Sequence, residues 1–187
     1  MIKAFLKKPK HYYLLASVVL WVAIGSLLLG WAHGQKTISF VAASNGVTHI
    51  ILLSGTLVAA ALYYLFTKKY FVPKHAPIWV IRGSYLSIFC MSIGAVFPAS
   101  AGLPLQIHRL AANGLVISLC VMLAAYIFNY RFKLDLRIHA TLALLAMVGS
   151  VVIVKKIAGQ AISLGIFNIF ILSTIYHKHV NFLESTE

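Results

Sequence analysis

GAVFPASAGLPLQIHRLAANG, residues 94–114, decides the fold. One apolar run closes here, Pro98 and Pro104 break the chain into a short turn, and a second apolar run opens on His108, Arg109 and Asn113. Each run is close to the ~20 residues that a helix needs to cross the hydrocarbon core of a bilayer. Two such runs joined by so short a turn make a helical hairpin in a membrane. Polar side chains are expensive in lipid and mark candidate sites. This is the one place where a guanidinium and an imidazole stand side by side at the mouth of a spanning segment.

Outward from this hairpin the same pattern repeats. Apolar runs over 13–31, 47–66, 78–97, 105–128, 138–154 and 161–176 fill most of the 187 residues and leave no room for a soluble domain. The whole chain, 61% hydrophobic and only 10% charged, has the composition of a membrane protein. The expected fold is all-α: one integral-membrane domain over residues 1–187, a six-helix transmembrane bundle with short loops. The N-terminus, Lys-rich and then apolar, has too long an apolar run for a signal peptide and reads as a retained first helix.

A net charge of +13 would suggest nucleic acid in a soluble protein. Here its distribution points to the membrane instead. With both termini cytoplasmic, twelve of the sixteen Lys and Arg residues fall on the inner side, leaving only Lys36, Arg109, Lys155 and Lys156 outside. That asymmetry follows the positive-inside rule for an inner membrane. The inner clusters are expected to meet anionic lipid headgroups. Loops this short offer no aromatic and basic groove, so nucleic acid is not an expected partner. Cys90 and Cys120 both lie within spans, with no CxxC pattern, and read as small apolar residues.

In the third span Gly83, Ser87, Cys90 and Gly94 recur at helical spacing and form one narrow stripe of small side chains. Such stripes let helix backbones approach closely in lipid. The second and fourth spans resemble each other, with His49 six residues before Gly55 and His108 six before Gly114. A duplicated hairpin and a chance match both account for this.

Absences limit the chemistry. No Asp, Glu, Lys or Arg lies near the middle of a span, where ion-coupled carriers place carboxylates. The three acids, Asp135, Glu184 and Glu187, all fall on the inner side, which excludes paired-carboxylate catalysis at the outer edge. Neither GxSxG nor HExxH nor a phosphate-cradling glycine loop is present. Only His33, in the first outer loop, could add a third ligand to His49 and His108 for zinc.

Two functional readings remain. In the first, a non-enzymatic protein without a cofactor has an outer-leaflet cleft lined by His49, His108, Arg109 and Asn113. An anionic lipid headgroup or small ligand binds there. Arg109 at a helix start favours an anion, because the helix N-terminus is itself positive. The alternative is a b-type haem electron-transfer protein. His49 and His108 would supply the outer layer of axial ligands, and His139 and His177 the inner layer. As simple interfacial residues, the same histidines would have no ligand at all.

FPASAG (97–102) followed by IHRLAA (107–112) resembles an uncharacterised multi-spanning bacterial family, domain of unknown function 998. TIS (37–39) also looks like that family's first outer loop, although FVA stands at 40–42 where its pattern has Asp-Leu-Gly. The resemblance implies about six helices in a bacterial inner membrane. It brings no substrate, cofactor or catalytic residue.

Overall fold

In the computed structural model, which describes residues 11–30, 43, 46–73, 76–97, 99–130, 132–153 and 165–173, every regular element among the described residues is helical. The long helices are α1 (His11–Gly30), α2 (Gly46–Phe66), α3 (Ile78–Val96), α4 (Leu103–Phe128) and α5 (Leu134–Ile153). A further helical segment, α6, covers residues 165–173. Among the described residues, three stretches are long and apolar enough to cross a membrane: Gly46–Phe71, Ile78–Val96 and Leu103–Phe128. The rest of the expected sixth span, the first outer loop with His33, and His177 lie outside the described residues.

Proline and glycine set the boundaries of the decisive hairpin. Pro77 is the N-cap of α3, and its carbonyl accepts from the N–H groups of Val80 (2.8 Å) and Ile81 (3.2 Å). At the other end Phe97 is extended, with φ −100° and ψ 101°. A residue that precedes a proline is disfavoured in the helical region, and Pro98 follows it. Gly102 sits at φ +77°, a conformation that a side chain would resist. The turn therefore delivers the chain into α4 at Leu103, two residues before the expected start at 105. Pro104, in the first turn of α4, costs no internal hydrogen bond there.

α2 continues into a π-helical turn, Thr67–Phe71. Its widened ladder shows in Val72 N–H donating to Thr67 O (3.2 Å) and Ala76 N–H to Phe71 O (3.0 Å). The turn swings Tyr70 and Phe71 inward onto Phe66. The aromatic residues at this end of the bundle thus divide. Tyr63, Phe66, Tyr70 and Tyr126 are buried in the core, whereas Tyr64, Phe128 and Tyr130 are exposed.

The small-residue stripe of α3 lies against α4, the most extensive helix pair in the structure. A Cβ on Gly83 would strike the Met122 side chain and come within 3.2 Å of Ser118 O. One turn on, Ser87 Oγ meets Ser118 Oγ at 2.6 Å. Cys90 Sγ packs over Gly114, and Gly94 faces Ala111. The register is antiparallel throughout. Outward-facing residues are large and apolar: Phe89 is 60% exposed, Leu110 72% and Ile117 60%. Apolar surface on that scale suits lipid and not water.

The resemblance between the second and fourth spans survives at the glycines alone. Gly55 packs on Ile24 of α1 as Gly114 packs on Cys90 of α3, each against the preceding helix. The histidines differ: His108 of α4 reaches the preceding helix, and His49 of α2 reaches the following one.

Candidate functional site: the outer end of the third helix

Because α2 and α4 run parallel on either side of antiparallel α3, their opening turns flank its last turn. That turn carries backbone carbonyls with no partner inside the helix. His108 Nδ1–H donates to Gly94 O (2.8 Å) and to Phe97 O (2.9 Å). His49 Nε2–H donates to Ala95 O at 3.2 Å. A carbonyl oxygen only accepts, so each of these ring nitrogens carries its hydrogen. Two imidazoles from two helices thus cap one helix end. Donors are favoured there, since the helix C-terminus is its negative pole.

The four outer residues expected to line one cleft separate into two groups. His49 and His108 are half-buried and turned onto the α3 carbonyls. Arg109 and Asn113 are exposed and lie one turn apart on the same face of α4. The early start of α4 also moves Arg109 out of the first turn. The free N–H groups of the helix start belong to residues before it, and Gln106 N–H already bonds Gly102 O (3.4 Å). Arg109 thus stands as a guanidinium on the rim of this end and not as part of a helix-terminus nest.

Of the histidines expected in an inner layer, His139 is exposed and its Nδ1–H donates to Asp135 O of its own helix (2.8 Å). Its proposed companion, His177, lies outside the described residues. No group of three or more His, Cys, Asp or Glu side chains converges among the described residues.

At the opposite end of the bundle, four cations rest on aromatic rings. Lys68 lies 6.0 Å from the Tyr64 ring, Lys69 5.1 Å from Tyr13, Arg82 5.4 Å from Trp79 and Arg137 4.8 Å from Tyr130. Arg137 also donates from Nε to Ile127 O (2.7 Å), tying α5 to the end of α4. These residues come from the first turn of α1, the end of α2 and its π-helical turn, the beginnings of α3 and α5, and the chain just past α4. Helix alternation therefore gathers them into one basic, aromatic collar.

Sequence reasoning missed a polar patch inside the bundle. Ser17, Trp21, Tyr63, Ser87 and Asn168 come from α1, α2, α3 and α6 to line an internal cavity. Each reads singly as an ordinary residue of an apolar run, and only the packing of the helices brings them together.

No family model matches the chain, and neither does any curated protein or solved structure. The fold and its lipid-suited surface define an all-α membrane protein. One end of the bundle is built on a histidine-capped helix.

Proposed function

We propose that this chain is a non-enzymatic, multi-pass protein of a bacterial inner membrane with both termini cytoplasmic. Its outer rim holds an anionic lipid headgroup or a small anionic ligand on Arg109 and Asn113. The observation that carries this reading is the exposure of both side chains one turn apart on α4, beside a helix end already capped by His49 and His108. A planar guanidinium offers paired N–H donors to a phosphate, and an amide one turn away can donate to the same group. The histidines fix the rim and do not touch the anion. This narrows the four-residue cleft of the sequence reading to two contact residues. The basic, aromatic collar at the other end sits against anionic headgroups of the cytoplasmic leaflet. Kinship with the domain of unknown function 998 family is part of the same proposal, carried by FPASAG and IHRLAA.

Native mass spectrometry of the purified protein tests the rim. With phosphatidylglycerol supplied, the wild type should retain one anionic lipid more than Arg109→Ala. Arg109→Lys should hold that lipid more weakly, because it keeps the charge and loses the fork. Equal retention in all three proteins would overturn the headgroup site.

A further inference from the structure

The cavity between α1, α2, α3, α4 and α6 has about 20 Å³ open to the centre of a water-sized sphere. One water-sized sphere itself occupies roughly 10–15 Å³, so the space admits a water, which needs two to four polar partners. The depth is notable: Ser87 lies midway along α3, and Leu115 and Leu119, which also line the space, lie midway along α4. This is the middle of the bundle, well separated from the capped outer end.

Two polar atoms belonging to its lining residues lack a partner. Trp21 Nε1 is buried and makes no hydrogen bond, and neither does the hydroxyl of Tyr63, a residue only 6% exposed. Ser84 stands beside Tyr63 but closes no bond of normal geometry with it. The Ser84 hydrogen is already directed to Val80 O at 2.8 Å, so Ser84 could act only as an acceptor. An indole N–H or a phenol left dry in such a place carries a desolvation cost.

The same wall presents unused acceptors. Ser17 Oγ donates its one hydrogen to Ala59 O (2.9 Å) and keeps its lone pairs. Ser87 and Ser118 share two hydrogens among their mutual contact, Gly83 O and Leu115 O. Whichever way that chain runs, Ser87 Oγ retains a lone pair. The polar groups of the lining residues therefore include two donors, Trp21 Nε1–H and Tyr63 O–H, two acceptors, Ser17 Oγ and Ser87 Oγ, and the amide of Asn168, which can do either.

We propose that this cavity is an intramembrane water site. One water accepts from Trp21 and Tyr63 and donates to Ser17 and Ser87, which satisfies all four groups. The amide of Asn168, which also lines the space, has both donors and an acceptor and can also bond that water. A cation finds no carboxylate on this wall, and an anion finds no positive charge.

Water-selective NMR on protein labelled with ¹⁵N at its indoles tests the site, with Trp31→Phe and Trp79→Phe variants assigning the Trp21 signal. The Trp21 Nε1–H should show a cross-peak to water, as should Trp79, which is 56% exposed and serves as the positive control. Ser87→Val fills the space and should abolish the Trp21 cross-peak while leaving that of Trp79. Tyr63→Phe, a milder change, removes one donor and should at least halve the Trp21 peak. A missing Trp21 cross-peak in the wild type would overturn the proposal. So would a Trp21 cross-peak of unchanged strength in either variant.

Discussion

Ser87 Oγ and Ser118 Oγ lie 2.6 Å apart, both buried, at the centre of the seam between α3 and α4. The pair joins two helices that each bring a glycine to the seam, Gly83 on one and Gly114 on the other. In lipid, an interhelical hydrogen bond contributes about 0.6 kcal/mol, with an upper range near ~1.7 kcal/mol. A double-mutant cycle on Ser87→Ala and Ser118→Ala, read as thermal stability in detergent, should therefore give a coupling of about 0.5–1.5 kcal/mol. Additive effects would mean that the two hydroxyls are satisfied by their own helices alone.

Glycine substitutions along this seam should be graded by position. Gly83→Leu forces the side chain into Met122 and the backbone of α4, an overpacking that costs about 1–3 kcal/mol or more. Gly94→Ala should be nearly neutral, since its Cβ would sit 3.7 Å from that of Ala111, an ordinary contact. Gly94→Leu should lower the folded fraction. Phe89→Leu, on the exposed opposite face, should not. Size-exclusion profiles before and after heating would rank the four variants.

The histidine caps should differ in weight. His108 makes two short bonds to α3 carbonyls and His49 makes one longer bond. An acceptor left unsatisfied costs about 1–3 kcal/mol when fully buried, and less at these half-buried caps. His108→Ala should thus destabilise the protein by more than His49→Ala, and hydrogen exchange should accelerate in the last turn of α3. Equal and negligible effects would remove the capping role.

Topology is checked at two loops that the structure describes. In a Cys90→Ala, Cys120→Ala background, Ala101→Cys should react with a membrane-impermeant maleimide in intact cells. Lys133→Cys should react only after the inner face is opened. Both positions are exposed, so access is decided by the membrane and not by packing. The reverse pattern would invert the orientation inferred from the Lys and Arg asymmetry.

Much of the fold was legible because it depends on one-dimensional properties. Apolar run length marked the spans, and the 83–87–90–94 spacing marked the face of α3 that meets α4. Pro98 and Pro104 located the turn, although Gly102 and its positive φ moved the start of α4 by two residues. The site was less legible. His108 and Arg109 are adjacent in sequence, but a helix turns about 100° per residue. One side chain therefore points back onto α3 while its neighbour points outward. The sequence also had no means of showing that His49 and His108 reach the same helix end, because that depends on which helices are neighbours. The water-sized cavity was invisible for the same reason: its polar groups lie on four different helices.

The account rests on His49 and His108 being caps on α3, which leaves the anion to Arg109. The most direct measurement is the ¹⁵N spectrum of the His108 ring in the membrane-reconstituted protein, recorded with an absorption spectrum of the same sample expressed with haem precursor. The account predicts a protonated Nδ1 with a coupling to the carbonyl carbon of Gly94 or Phe97, and no Soret band. A His108 Nδ1 without its proton, or a Soret band that disappears in His108→Ala, would contradict it and return the histidines to ligand chemistry.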